Sequence, residues 1–240
     1  MAAPSALSAA VRKGILAAWA NLLPMLVLEA AMAAMVAIYY CWPAGSAFLS
    51  RYAAWQHSGG VLAAAFATAV AGGVLSELSL VYLRDKGRWT ATHLENMGFR
   101  LVMFFISGAI VYEFYLGQTI WFGEGAAWSV LVPKILVDQF IFTVFWATPY
   151  QTLMTRWQSL RYSGRRLWLE LNPAFLTERV LPILVTGWMF WIPGVVFIYS
   201  MPSNLQAPLF IFGTAIWGLL LPAVARQEGS EAMTPEIVLA

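Results

Sequence analysis

Apolar residues along this chain fall into runs of about 20, the length a helix needs to cross a hydrocarbon core of roughly 30 Å. Six runs stand out, at 21–42, 61–83, 99–121, 129–150, 180–199 and 208–224. The first ends in Tyr39, Tyr40 and Trp42, amphipathic aromatics that settle at a membrane interface. The pattern predicts an all-α protein, a multi-pass transmembrane helical bundle of about six spans. In the second run Ala64, Thr68, Gly72 and Ser76 recur every fourth residue, as do Ala65, Ala69, Gly73 and Glu77. Such rows predict a strip of small side chains against which another helix packs closely. Pro193 and Gly194 interrupt the fifth run, and a lost backbone bond beside a permissive residue predicts a kink or break there.

Between the fourth and fifth runs, Leu153, Met154, Trp157, Leu160, Leu167, Trp168 and Leu171 recur near helical spacing, with Arg156, Arg161, Arg165 and Arg166 among them. That alternation predicts an interfacial amphipathic helix closed by Asn172-Pro173, its arginines serving as a topology anchor or meeting anionic lipid. The chain reads as an amino-terminal segment, 1–58, that carries the first span; a membrane core, 59–226; and a polar, acidic tail from Gln227 that reads as disordered. The basic start at Arg12 and Lys13 resembles that of a signal peptide, but the run behind it is long and contains Glu29, so it reads as a retained helix.

Composition supports the membrane reading. Of 240 residues 60% are hydrophobic and 11% charged, where soluble domains carry about 25% charged residues. A net charge of +2, with the basic residues dispersed between apolar runs, gives no nucleic-acid footprint. The basic residues are asymmetric: Arg12, Lys13, Arg84, Lys86, Arg88, Arg100, Arg156, Arg161, Arg165, Arg166, Arg179 and Arg226 fall on one side of a six-span arrangement, and Arg51 stands alone on the other. The positive-inside rule then places both termini on the cytoplasmic side, or its organellar equivalent. The single cysteine, Cys41, belongs to no metal motif, and His57 and His93 fall in predicted loops. No metal site, cofactor or catalytic centre is expected, and the chain does not read as an enzyme.

Chemistry concentrates in the fourth run, PKILVDQFIFTVFWATPY, where Lys134, Asp138 and Gln139 lie within the apolar stretch. Lys134 and Asp138 are four residues apart and share one helix face, with Gln139 about 100° further round. Charges at bilayer depth face a bundle interior or a wet cavity. At about 1.5 Å per residue, Glu113, Asp138 and Lys134 lie roughly 12, 14 and 8 Å from the same end of their spans. They are expected to meet, with the third and fourth spans as neighbours. Glu29 and Glu77 lie in the other half of the bilayer, with no evident basic partner.

KILVDQ also resembles the K-x-x-x-D-Q signature of the family of the twenty-two-kilodalton peroxisomal membrane protein and Mpv-seventeen. Gly108 with Phe114-Tyr115-Leu116 is similar to that family's Gly-Pro … Trp-Tyr-x-x-Leu, with Ala109 and Phe114 as departures. Trp188 to Pro202 resembles its Trp-Pro … Asn-Phe … Val-Pro region, and Ile216 to Leu221 its closing Trp-x-x-x-Leu-Ser, with Pro222 in place of the serine. The resemblance covers about 60–225 and leaves the first span as an addition. It implies a non-enzymatic protein of an organelle membrane, such as the mitochondrial inner or peroxisomal membrane, or a relative in a bacterial cytoplasmic membrane. Some members of the family are described as pores or weakly selective channels for small solutes.

Two readings remain open for the buried polar set. Lys134, Asp138, Gln139, Glu113, Glu77 and Glu29 line a pore for a small solute or ion, their acidic excess favouring cations when ionised, or they hold helices together in a non-conducting structural or regulatory subunit. The small-residue strip is also compatible with a homo-oligomer. The lipid bilayer is the one partner that composition establishes.

Overall fold

The computed structural model describes residues 8, 11, 12, 15, 16, 19, 22–125 and 127–231, and these residues contain helices and no strand. Seven helices follow one another. Helix α1 is Leu22–Cys41. Helix α2 runs from Pro43 to Arg84 in three pieces, Pro43–Ala69, a wide π-helical turn at Val70–Leu75, and Ser76–Arg84. Helix α3 is Ala91–Phe122. Helix α4 comprises Trp128–Val137, a π-helical stretch Asp138–Ala147, and Thr148–Ser159. A short α5, Gly164–Glu170, precedes α6, which passes from Pro173 through a π-helical turn at Leu176–Val180 to Tyr199. Helix α7 is Ser203–Glu231. Five of them contain stretches long and apolar enough to cross a bilayer: Pro43–Leu83, Ala91–Phe122, Trp128–Ser159, Pro173–Tyr199 and Asn204–Pro222. The protein is an integral membrane protein with an all-α helical bundle.

The six expected spans therefore correspond to five long apolar helices plus α1. Helix α1 has 20 residues, and its described apolar part is Ala30–Cys41. Residues 43–59, read as a connection, are helical. Pro43 starts the helix after an extended Trp42, a position where its missing N–H costs nothing. Gly45, Leu49 and Gln56 are buried at helical spacing while Phe48 and Trp55 are exposed, so this piece has one packed face. It ends at Gly60, whose φ of 57° and ψ of −143° break the helix where the second span was expected to begin. His57 thus lies on a helix, and so does His93, in the first turn of α3.

The small-residue strip packs as its spacing predicts. Ala64, Ala65, Thr68, Ala69, Gly72, Gly73, Ser76 and Glu77 are all buried, and α2 lies against both α3 and α7. Gly108 of α3 sits on Thr68 and Ala65, and Gly73 faces the Leu101 backbone, so helix axes approach more closely than larger side chains would permit. Ser76 Oγ donates to the Ala215 carbonyl of α7 at 2.7 Å.

Three expectations need correction. Helix α6 is not broken at Pro193 and Gly194 but stays helical through both, with the flanking Phe190, Val195 and Ile198 buried in the core. The interfacial helix over 153–171 is not one helix. Residues through Ser159 extend α4, and the chain turns at Arg161 and Tyr162, whose φ values of 54° and 60° are left-handed. Ser163 then caps α5 by accepting from the Arg166 N–H. Trp168 and Leu169 are exposed on α5, and Asn172, expected only to close the preceding helix, caps the next one by accepting from the Phe175 N–H. Helix α7 continues through Pro222 as far as Glu231, so residues 227–231 of the expected disordered tail are helical. The rest of that tail, most of the basic amino-terminal start and the Glu29 side chain lie outside the described residues.

Candidate functional site

Asp138 and Gln139 open the π-helical stretch of α4 and are 4% and 2% exposed. A π-helical register widens the helix and re-aims the side chains it carries, and it recurs at functional sites. Asp138 Oδ2 accepts from Tyr199 OH of α6 at 2.9 Å and from Tyr115 OH of α3 at 3.2 Å. Tyr199 OH also lies 3.4 Å from Gln118 Oε1, and Gln118 Nε2 donates to the Lys134 carbonyl at 3.0 Å. The Trp188 indole N–H donates to the Gln139 carbonyl at 2.8 Å. The network joins α3, α4 and α6 deep in the bundle. The side-chain Oε1 of Gln139 is buried and has no hydrogen-bond partner among the described residues.

An aromatic ladder runs beside this network. Phe142 stacks on Phe114 of α3 at 4.0 Å, Trp146 on Phe142 at 4.9 Å and Tyr150 on Trp146 at 5.0 Å. The Tyr150 hydroxyl then donates to the Met103 carbonyl at 2.9 Å. Trp217 of α7 donates from its indole to Gln151 Oε1 at 2.8 Å. Segments singled out by the resemblance, around Phe114-Tyr115, Lys134–Gln139, Trp188 and Trp217, thus converge in one region.

The expected meeting of Lys134, Asp138 and Glu113 does not occur. Spans three and four are neighbours, but no ion pair joins these residues. Burying the ammonium beside Asp138 would cost its desolvation. Two tyrosine hydroxyls supply the hydrogen bonds instead, and Lys134 stays half-buried, with Glu124 in the α3–α4 loop the acid acting on it. Glu113 is exposed; it lies two residues from Tyr115, about 200° round the helix, so the face that carries Tyr115 inward carries Glu113 outward.

Glu77 has the basic partners that the sequence did not reveal. It is 1% exposed, with Arg100 Nη1 2.9 Å from Oε2 and His93 Nδ1 2.9 Å from Oε1. The other ring nitrogen of His93 lies 3.4 Å from Asp85. Both partners sit early in α3, which begins at Ala91, so Arg100 enters the bundle at the depth of Glu77. Among the four arginines of the expected interfacial helix, Arg156 forms a two-point contact with Glu170, 2.6 Å at each nitrogen, and Arg161 lies 3.6 Å from Glu95. Arg165 and Arg166 are exposed on α5. Tyr115, Gln118 and Tyr199 were missed; Tyr115 and Gln118 are three apart on one face of an apolar helix, a spacing that could have found that pair.

Three cavities lie in series. One of about 480 Å³, towards the end of the bundle bearing Ser50 and Asn204, is lined by Gln56, His57, Tyr112, Tyr115 and Tyr199. The middle one, about 70 Å³, is lined by Asp138, Gln139, Thr143, Gln151 and Trp217, and shares Thr68, Val111, Tyr115 and Phe210 with the first. The third, about 420 Å³, lies at the opposite, arginine-rich end and shares Phe104 with the middle one. Pro193, Gly194, Lys134 and Glu113 are not among the lining residues. Among the described residues, no group of three or more His, Cys, Asp or Glu is arranged to hold a metal ion. Comparison with family profiles, with curated proteins and with solved structures finds no match to this chain.

Proposed function

We propose that this protein is a pore or weakly selective channel for small solutes or ions, closed at its middle in the conformation described. The observation that carries the reading is the row of three cavities through the bundle, joined by shared lining residues and narrowest where Asp138 and Gln139 lie. A volume of about 70 Å³ holds a few waters and no larger solute, so the path narrows at Phe104 on one side and at the Tyr115–Asp138–Tyr199 contacts on the other. The unpartnered Gln139 Oε1 suits a wetted passage better than a dry core. The K-x-x-x-D-Q resemblance supports the same reading, because some members of that family are described as pores. The positive-inside rule places the arginine-rich cavity towards the cytoplasm or its organellar equivalent. A non-enzymatic role fits this reading.

The second reading, a non-conducting structural subunit, is favoured by one specific observation: Asp138 is already served by two hydroxyl donors and needs no permeant. Flux of ions and small solutes into liposomes separates the two. The pore reading expects flux above empty liposomes, a change of selectivity in Asp138→Asn, and none in Lys134→Met, because Lys134 lines none of these three cavities. Silence from folded protein across pH and voltage sinks the pore and leaves the network as a helix clamp.

A further inference from the structure

The arginine-rich cavity has a chemistry the conduction reading does not use. Arg100 of α3, Arg156 of α4, Arg161 of the following turn and Arg179 of α6 line a space of about 420 Å³, together with Gln158 and Thr155. That volume lies within the range of small-molecule sites, roughly 300–1,000 Å³. Three carboxylates stand nearby, and each is engaged: Glu77 with Arg100, Glu170 with Arg156 at two points, and Glu95 with Arg161. No ion pair within 4 Å is formed by Arg179 among the described residues; Glu170 feels it only at longer range. Glu178 beside it is exposed and does not line the cavity. Four guanidiniums against three carboxylates leave the cavity positive, while Arg165 and Arg166 of α5 are exposed and do not line it. Its other wall is apolar, formed by Phe99, Met103 and Ile183, which lowers the local dielectric and strengthens any ion pair made there.

We propose that this cavity is a binding site for a small oxyanion, a phosphate or carboxylate group, with Arg179 as its principal ligand. Guanidinium is suited to this role because its planar fork donates two parallel hydrogen bonds to such a group. Thr155 and Gln158 line the same space but donate within the protein, to the Gln151 carbonyl at 2.8 Å and to Asn96 Oδ1 at 2.9 Å, so recognition falls to the guanidiniums. The exposed Trp168 and Leu169 of α5 place the cavity at a membrane surface, so the group is either that of a soluble anion or the head of an anionic lipid. The proposal goes beyond conduction and does not require it.

The test is binding to the full chain in nanodiscs of phosphatidylcholine, read as thermal stabilisation that saturates with inorganic phosphate against a chloride control of equal ionic strength. A parallel arm replaces part of the phosphatidylcholine with phosphatidylglycerol. Saturation in the first arm identifies a soluble oxyanion; stabilisation in the second alone identifies a lipid head. In either arm Arg179→Gln is expected to weaken binding about tenfold, the loss of one charge-assisted hydrogen bond, while Arg165→Gln leaves it unchanged. Should Arg179→Gln fold poorly, Arg179→Lys keeps the charge, loses the fork and is expected to weaken binding severalfold. No saturable stabilisation in either arm overturns the proposal, as does equal weakening by the substitutions at 165 and 179. Binding without flux retains this site and removes the pore; flux without binding does the reverse.

Discussion

Replacing Glu77 by Gln should be the most damaging single polar substitution at the arginine-rich end of the bundle. The carboxylate is 1% exposed and serves Arg100, itself 8% exposed, and His93. Losing one member of a buried ion pair costs about 3–5 kcal/mol, mostly because the remaining charge keeps its desolvation penalty without its counter-charge. For a chain of this size, about 2–4 °C of melting temperature accompanies each kcal/mol, so a fall of about 6–20 °C is expected. Arg100→Gln should cost less, since His93 stays 2.9 Å from Glu77 Oε1. The double variant Glu77→Gln, Arg100→Gln should be less destabilised than the sum of the two single changes, by about 1.5–3 kcal/mol of coupling. Thermal melts of the four proteins in nanodiscs, followed by tryptophan fluorescence, give the cycle. Additivity within about 0.5 kcal/mol would refute the reasoning, because it would mean the two groups do not depend on one another in the folded bundle.

Gly60→Ala should destabilise by about 1–3 kcal/mol. The nearest non-neighbouring atom, Tyr112 OH, is 3.8 Å from an added Cβ, so the cost is the left-handed backbone alone, and the same melts measure it. Glu170 gives a pH signature. The hydrogen bonds from Arg156 hold its carboxyl below the ordinary 4.5, so its contribution to stability is complete above that value and is lost as pH falls through the lower, folded-state value. The loss of stability below pH 4.5 should be shallower in Arg156→Gln than in the parent protein. An unchanged slope would show that the Arg156–Glu170 contact is not maintained in the membrane.

Much of the fold was legible because span length and small-residue spacing are local properties. Both four-residue rows of α2 are buried, and the second expected span begins where Gly60 breaks the helix. Asp138 and Gln139 were recognisable as interior residues because nothing else accommodates them at that depth. Their partners were not recognisable: depth along a span follows from residue count, but the azimuth of a neighbouring helix does not. Glu113 has a suitable depth and faces outward, while Tyr199, 61 residues beyond Asp138, supplies the shorter hydrogen bond. The same limit hid Arg100. Counted with a loop, it lay out of reach of Glu77; with α3 beginning at Ala91 it stands more than two turns inside a helix. Residues 43–59 escaped because Pro-Ala-Gly-Ser and His-Ser-Gly-Gly look like loop ends, whereas the alternation of buried and exposed residues between them is helical.

The polar middle of the bundle is held by neutral donors, and that choice bears on how such a path could open. Tyr115 comes from α3, Tyr199 from α6 and Asp138 from α4, so widening the passage between these helices must separate at least one hydroxyl from the carboxylate. Each such bond is worth about 0.5–3 kcal/mol, depending on whether the carboxyl is charged. On the pore reading, a closed state held by these two bonds lies within a few kcal/mol of an open one, a gap that a ligand or a voltage can overcome. A Lys134–Asp138 ion pair in the same place would have tied the charge within α4 and left α3 and α6 unconstrained. On the pore reading, Tyr199→Phe should be both less stable, by about 1–3 kcal/mol, and more conductive in liposomes, because one restraint is the other's gate. If the network is only a clamp, the same variant loses the same stability and stays silent.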